Sequence, residues 1–264
     1  MKKQVCFILM FAFALLSGAF DAVAYNNTYA VVVAVADYKY ATARNGDLKY
    51  TVNDASKFYN FLKSSAGGSV PSSNIVYLTN SSATRSNIIT KTKTLYAKAK
   101  TDDRVIFYFS GHGDRSCFLP YDFDALGNNV LWFDEVQALF RCAKCNNKLL
   151  IADACFSGSM KNLIKRQTGG KQSTSGGKQQ IAVMMASGAN EVSVESDELG
   201  QGVFSYYLIK GLNGNADTDR NGKITIQELF YYVYRNTSQY GLKKQHPVLF
   251  GDFDLRLIVG RVNK

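Results

Sequence analysis

Residues 105–110 read VIFYFS and residues 148–153 read KLLIAD. Each contains a short, continuous apolar run, which is typical of a strand buried on both faces of a parallel sheet. His112 follows the first run, and Cys155 follows the second. Because parallel strands open to ligands at their carboxyl ends, we expect these two side chains to lie at the same edge of the sheet.

The alternation of strands and helices extends along the chain in both directions. Apolar runs predict further strands at residues 29–36, 74–78 and 181–186, and helical spacing of apolar residues predicts helices at 53–62, 85–100, 134–142, 203–212 and 225–236. A last apolar segment covers residues 248–259. Such alternation predicts an α/β fold in which a mostly parallel sheet carries helices on both faces.

The first 24 residues have the pattern of a secretory signal peptide. Two lysines precede an apolar run at residues 5–16, and residues 22–24 (AVA) form a small-x-small cleavage site. The run is shorter than the roughly 20 residues that a membrane-spanning helix needs. We therefore predict cleavage after Ala24, export to the periplasm or the outside of the cell, no stable membrane anchor, and a domain over residues 25–264.

The composition is that of a globular protein, with 46% hydrophobic and 20% charged residues among 264. The formal net charge of +10 is dispersed, and the lysines at residues 91–100 and 161–178 have no interleaved aromatic residues. Nucleic-acid binding is therefore not predicted. Residues 159–180 are rich in Lys, Gly, Ser, Thr and Gln, which indicates a flexible exposed loop within the domain.

The cysteines fall into different neighbourhoods. Cys142 and Cys145 have CxxC spacing, but no second pair and no nearby histidine completes a zinc site. A local disulfide and two reduced thiols both remain open for this pair. Cys155 instead follows a predicted buried strand, as does His112, one of only two histidines.

A cysteine next to a histidine has a defined chemistry. A thiol becomes a thiolate near neutral pH when a neighbouring base or imidazolium favours it, and histidine titrates in that range. Gly111 and Gly113 flank His112 and allow the backbone to approach a substrate, so that an N–H can donate to an oxyanion. Cys155 is thus predicted as nucleophile and His112 as its acid/base partner.

These residues carry a family resemblance. SGHG after one strand and DACFSG after the next resemble the paired signatures of the caspase-like cysteine peptidases, particularly the bacterial, metacaspase-like branch. Residues 153–158 match the pattern D-x-C-x-S-G, with Phe156 where histidine is common, whereas the caspase signature Q-A-C-[RQG]-G is not matched. The resemblance extends over about residues 29–259.

The resemblance implies a caspase-like three-layer sandwich that hydrolyses peptide bonds in protein or peptide substrates. Cys155 would attack the scissile carbonyl and His112 would protonate the leaving amine. The backbone N–H groups of Gly113 and Cys155 would form the oxyanion hole, and the chemistry would require no cofactor. Peptidases of the legumain or gingipain type, which share this fold, and a catalytically silent binding module remain alternatives.

Metacaspases cleave after arginine or lysine, using acidic residues in the substrate pocket (S1). Asp153 and Asp54 match those positions, and a carboxylate pair suits a guanidinium or ammonium. Helix capping by Asp54 and orientation of the nucleophile loop by Asp153 are the competing interpretations. An enzyme of this specificity could process itself in the 159–180 loop, at Lys165, Arg166, Lys171 or Lys178.

Residues 217–228 fit the calcium-loop pattern D-x-[DN]-x-[DN]-G-x₅-E throughout. The candidate Ca²⁺ ligands are Asp217, Asp219, Asn221, Lys223, Thr225 and Glu228. Thr225 and Glu228 also have the spacing of a helix capping box, which needs no metal. The sequence favours neither interpretation over the other.

Overall fold

The structure is a computed structural model, and it describes residues 25–40, 46–114, 116–124, 126–155, 180–188, 191–241 and 245–262. The predicted signal peptide and the four candidate processing sites lie outside these residues. So does the part of the nucleophile motif that follows Cys155 as far as Gly158.

The strands of the described residues, in chain order, are β1 (Thr28–Ala34), β2 (Ile75–Thr79), β3 (Arg104–Ser110), β4 (Gly113–Asp114), β5 (Cys117–Phe118), β6 (Leu131–Trp132), β7 (Asn147–Asp153), β8 (Gln180–Met185), β9 (Glu195–Ser196), β10 (Gln201–Gly202), β11 (Lys223–Thr225), β12 (Val248–Asp252) and β13 (Ile258–Arg261). The α-helices are α1 (Thr51–Lys63), α2 (Arg85–Tyr96), α3 (Phe133–Arg141), α4 (Val203–Lys210) and α5 (Ile226–Gln239).

Six strands form one central sheet in the order β12-β8-β7-β3-β1-β2. Every neighbouring pair in it is parallel except β12 and β8, which are antiparallel. Three short strands, β4 to β6, form a separate antiparallel sheet next to the end of β3. The predicted α/β architecture with a mostly parallel sheet is confirmed.

The sheet is covered on both faces, and the side chains of its central strands alternate between two cores. In β3, Phe107 and Phe109 join the core that α2 and α3 cover, whereas Ile106 and Tyr108 join the core that α1, α4 and α5 cover. All residues of β3 and β7 are buried. This double burial explains why both strands are continuous apolar runs rather than alternating ones.

Two predicted elements differ from the structure. The second predicted helix ends at Tyr96 instead of residue 100, because the chain continues there in turns with bonds from Lys98 N to Leu95 O and from Ala99 N to Tyr96 O. The last apolar segment is two strands, β12 and β13, separated by residues 253–257. Within the described residues, no helix is long and apolar enough to cross a bilayer.

Candidate active site

The register of β3 and β7 brings His112 and Cys155 to the same edge of the sheet. Ser110, at the end of β3, is paired with Asp153, at the end of β7. The backbone N–H of Gly111 donates to the Asp153 carbonyl at 3.1 Å, which holds the two chains together one residue further. His112 and Cys155 each follow two residues after this matched pair.

Gly113 allows the two chains to approach closely. A β-carbon at this position would lie 2.7 Å from the Cys155 carbonyl oxygen and 3.2 Å from the Ala154 methyl group. Real β-carbons do not come that close to backbone, so only glycine fits here without displacement. The backbone of Gly113 is thus next to that of Cys155, as the predicted pair of oxyanion-hole donors requires.

The predicted catalytic and pocket residues line one cleft. It contains His112, Cys155, Asp54 and Asp153, all of which the sequence singles out, together with Glu195. Its remaining wall is formed by Leu48, Thr51, Ser110, Gly111, Val192, Ser193 and Gly202. The structure therefore brings together side chains from two strand ends, one helix and two loops.

The His112 ring is oriented by a backbone carbonyl. Its Nε2 atom lies 2.7 Å from the Gly46 carbonyl oxygen. A carbonyl can only accept a hydrogen bond, so Nε2 carries the hydrogen and the neutral ring keeps its lone pair on Nδ1. Tyr38 supports the same residue, since its hydroxyl accepts the His112 backbone N–H at 2.7 Å and its ring lies 5.1 Å from the imidazole.

The Cys155 sulfur has one backbone donor. The N–H of Ser193 lies 3.3 Å from Sγ and donates to it. Burial nevertheless raises the pKa of the Cys155 thiol, and the nearby Asp153 carboxylate raises it further, against the lowering effect of the Ser193 N–H. The raised pKa favours the thiol over the thiolate, so forming the nucleophile requires a base.

The two predicted pocket carboxylates are both buried. Asp153 accepts hydrogen bonds from the N–H and hydroxyl of Ser205, at 3.1 and 2.7 Å, and from the Ser193 hydroxyl. Asp54 accepts the Gly202 N–H at 3.1 Å and the Gln201 side chain at 3.2 Å. Asp54 therefore does not cap its own helix, as the competing interpretation required. The residue before α1 is Tyr50, which has no side-chain cap bond.

Burial dominates the titration of both carboxyls. It raises the pKa of Asp54 to about 9, with the neighbouring Asp153 raising it further. Burial likewise raises the pKa of Asp153, and its hydrogen bonds from serine oppose that rise. Ionising two buried carboxyl groups side by side is unfavourable, and a cation bound in the cleft would reduce that free-energy cost.

Glu195 is a third acidic residue of the cleft, and no sequence pattern predicts it. Its carboxylate accepts the backbone N–H groups of Lys49 and Tyr50, at 3.0 and 2.7 Å. It thereby holds the segment between Gly46 and α1, which carries the carbonyl that orients His112. No motif surrounds Glu195 in the sequence, and only the folded chain brings it to the cleft.

Gln245 fixes the loop that contains Ser193. This buried side chain accepts the Val194 N–H at 3.2 Å and donates to the Ala186 carbonyl at 3.0 Å and to the Ser193 hydroxyl at 3.4 Å. The adjacent His246 pairs with Glu191 at the start of the same loop, with 2.7 Å between Nδ1 and Oε1. These contacts place Ser193 between Cys155 and Asp153.

The 217–228 loop lies apart from this cleft. Carboxylate oxygens of Asp217, Asp219 and Glu228 lie within 4.8 Å of one another, and such hard oxygen ligands fit Ca²⁺. Other predicted ligands make contacts within the loop: Asn221 Oδ1 accepts the Lys223 N–H at 2.7 Å, and Thr225 shares three hydrogen bonds with Glu228. The capping box is present, and the calcium site stays a prediction.

The four cysteines of the described residues are unpaired, Cys142 and Cys145 among them. The structure therefore has reduced thiols at the CxxC positions. Cys145 is buried and its pKa is raised by that burial. Neither residue lines the cleft that contains Cys155.

Comparisons with known proteins show the family and the fold. The family model described as "Caspase domain" matches residues 27–254. A probable protease from a Desulfuromonadales bacterium is 28% identical over 240 residues, which is 78% of this chain but only 29% of that relative. A crystal structure of a Geobacter sulfurreducens protein has the same fold, with a TM-score of 0.59 at 14% identity over 89% of this chain and 97% of that one. Because the family model matches most of this chain, the chain belongs to the caspase-domain family of peptidases.

Proposed function

We propose that this protein is a cysteine endopeptidase that cleaves after arginine or lysine, with Cys155 and His112 as its catalytic residues. The observation that carries the proposal is the single cleft in which these two side chains meet three carboxyl groups, those of Asp54, Asp153 and Glu195. A thiol and an imidazole supply the chemistry, and the acids supply selectivity for a cationic side chain.

The first half of the reaction forms an acyl-enzyme. Nδ1 of His112 takes the Cys155 proton, and the thiolate attacks the scissile carbonyl carbon. The resulting oxyanion accepts hydrogen bonds from the backbone N–H groups of Gly113 and Cys155. The carbon–nitrogen bond then breaks as the imidazolium gives its proton to the leaving amine.

The second half releases the product. His112 takes a proton from a water molecule, which attacks the thioester carbon and forms a second tetrahedral intermediate. The carbon–sulfur bond breaks, the carboxylic acid leaves, and the sulfur recovers its proton from the imidazolium. The Gly46 carbonyl acts throughout by accepting Nε2–H, which leaves Nδ1 as the basic nitrogen and stabilises the imidazolium.

Selectivity follows from the state of the acid pair. Without a cation, burial favours the neutral form of both acids, and most clearly that of Asp54, whose pKa it raises to about 9. A substrate guanidinium or ammonium replaces the lost hydration and favours the carboxylates, so that its binding is coupled to proton release. A substrate aspartate would instead add a like charge to the cleft, which disfavours it.

We also propose that the enzyme is exported and processes itself in the 159–180 loop. The support is the sequence: the pattern of the first 24 residues, and basic residues directly after the nucleophile in a segment whose composition predicts exposure. Purified wild-type and Cys155→Ala proteins, incubated alone, test the second part. Equal rates of loop cleavage in the two would contradict self-processing.

A fluorogenic panel with Arg, Lys, Asp or Asn before the scissile bond tests the activity. We expect hydrolysis of the Arg and Lys substrates only, with loss of at least about 10³-fold in Cys155→Ala and His112→Ala. Preference for Asn would favour a legumain-type enzyme. Absence of hydrolysis of all four substrates by the folded wild type would favour a silent binding module.

A further inference from the structure

A second cleft opens at the amino ends of β1 and β3, at the edge of the sheet opposite Cys155. Its walls come from residues 25–28, 66–71 and 258–261, and Arg104 lies inside it. The cavity volume is about 150 Å³. β3 begins at Arg104 and ends at Ser110, so the two clefts are separated by the length of the strand, about 20 Å.

Arg104 is a buried cation whose hydrogen bonds are incomplete. Its side chain is 5% exposed. One Nη atom donates to the Ile258 carbonyl at 3.1 Å and the other to the Thr28 hydroxyl at 3.2 Å, whereas Nε is buried without a partner among the described residues. Neither of the two acceptors carries a charge, so the guanidinium charge is not neutralised by these bonds.

The acidic side chains near Arg104 bond to other groups. The Asp103 carboxylate accepts the backbone N–H groups of Asn27 and Lys100, at 3.0 and 2.8 Å. Asp254 pairs with Arg256 at 2.7 Å. In the part of the chain that the structure describes, no carboxylate forms an ion pair with Arg104.

The surroundings add positive charge rather than negative. Burial lowers the pKa of Arg104, Tyr25 opposes this effect, and the charge of Arg261, which lines the same cleft, lowers the pKa further. The Tyr25 ring covers the guanidinium, with 4.6 Å between its centroid and the Arg104 carbon, and offers partial compensation. A buried guanidinium without a counter-charge is costly, which points to an anion as the missing partner.

We propose that this cleft binds a small oxyanion, such as phosphate, sulfate or a carboxylate group, between the side chains of Arg104 and Arg261. A guanidinium presents parallel N–H donors that match two oxygens of such a group. The size of the cavity suits a single oxyanion. The site is separate from the catalytic cleft, so it does not depend on the proposed peptidase reaction.

Calorimetric titration of the purified protein with inorganic phosphate, at low ionic strength and pH 7, tests the site. We expect one phosphate per chain in wild type and in Cys155→Ala alike. Arg261→Gln, at an exposed position, should weaken binding at least about 5-fold. Arg235→Gln, which removes one exposed positive charge from α5, should leave it unchanged.

Two outcomes of these titrations would overturn the proposal. One is wild-type protein that binds no phosphate and no sulfate at millimolar concentration. The other is equal weakening by Arg261→Gln and Arg235→Gln, which would mean that only the overall charge matters. Arg104→Gln supplies a further test if its circular dichroism spectrum is native: it should abolish binding, and native-like affinity in this variant would also contradict the site.

Discussion

The backbone N–H of Ser193 lies 3.3 Å from the Cys155 sulfur, while the hydroxyl of the same serine donates to the Asp153 carboxylate. One residue of a loop thus contacts both the proposed nucleophile and the proposed pocket acid. The backbone contact is independent of the side chain, whereas the contact with Asp153 is not. Substitutions can therefore separate the two contacts.

Ser193→Ala should affect the pocket and spare the nucleophile. Loss of the hydroxyl removes a hydrogen bond to a buried carboxylate, which is worth roughly 1.5–3 kcal/mol. We expect kcat/KM for an Arg substrate to fall about 10-fold or more, with an unchanged rate of Cys155 alkylation by iodoacetamide. Ser196→Ala, in the adjacent strand β9, is the matched control, because the Ser196 hydroxyl bonds to Tyr240 and not to Asp153 or Cys155. A comparable loss of activity in that control would assign the effect to loop stability.

Gln245→Ala should affect both contacts, because Gln245 bonds to Val194, Ala186 and Ser193 at once. Displacement of the loop withdraws the Ser193 N–H from Sγ, which raises the pKa of the thiol further. We expect the pH midpoint of Cys155 alkylation to move up by about one unit. An unchanged midpoint in a folded Gln245→Ala protein would show that this side chain does not position the loop.

Asp54→Asn should make the folded protein more stable and reduce its selectivity for basic substrates. Folded Asp54 keeps its proton up to about pH 9, whereas an unfolded aspartate loses it near pH 4. Between these values the folded state binds more protons, so this group makes the free energy of unfolding fall as pH rises. Urea unfolding should therefore show a stability advantage for Asp54→Asn that grows from pH 5 to pH 9, by at most about 1.4 kcal/mol per unit.

The same variant should lose about 100-fold in kcat/KM for an Arg substrate, since one carboxylate of the pocket is gone. Its Cys155 alkylation rate should match wild type. A variant that keeps the preference for Arg over Asp substrates would contradict the role of Asp54 in the pocket.

Gly202→Ala should close the pocket at its base. A β-carbon there would lie 2.5 Å from Asp153 Oδ2 and 3.0 Å from Asp54 Oδ2. We expect loss of Arg hydrolysis by at least about 100-fold and destabilisation of roughly 1–3 kcal/mol. Gly200→Ala is the control for destabilisation. Its added β-carbon would contact nothing, but its φ of +60° imposes backbone strain of about 1 kcal/mol. Equal activity losses in both variants would implicate general destabilisation.

The sequence predicts the parts of the site that local pattern determines. A buried parallel strand is recognisable by its apolar run, and residues just after two such strands are expected at one edge of the sheet, which is where His112 and Cys155 lie. The Gly46 carbonyl has no side-chain signal that a pattern could detect. Ser193 and Gln245 lie in loops, where polar residues are common, and Glu195 begins the two-residue strand β9. Only tertiary packing brings these three residues to the cleft.

The calcium prediction has a direct test. If residues 217–228 bind Ca²⁺, calorimetry at up to millimolar calcium should show one site, and Asp219→Asn should weaken it at least about 10-fold. Asp252→Asn removes a charge from an exposed position elsewhere and should have no effect. Absence of binding by wild type would mean that these residues form only the capping-box turn that begins α5.

Covalent labelling tests the central proposal most directly. Wild-type protein is incubated with a peptidyl chloromethyl ketone that carries arginine next to the reactive group, and parallel samples receive the aspartate analogue. Peptide mapping by mass spectrometry then locates the adduct. We expect the arginine reagent to modify Cys155 alone, with little reaction in His112→Ala and with the aspartate reagent. Equal labelling by both reagents, or labelling of Cys142 in preference to Cys155, would contradict a Cys155/His112 peptidase with a pocket for basic side chains.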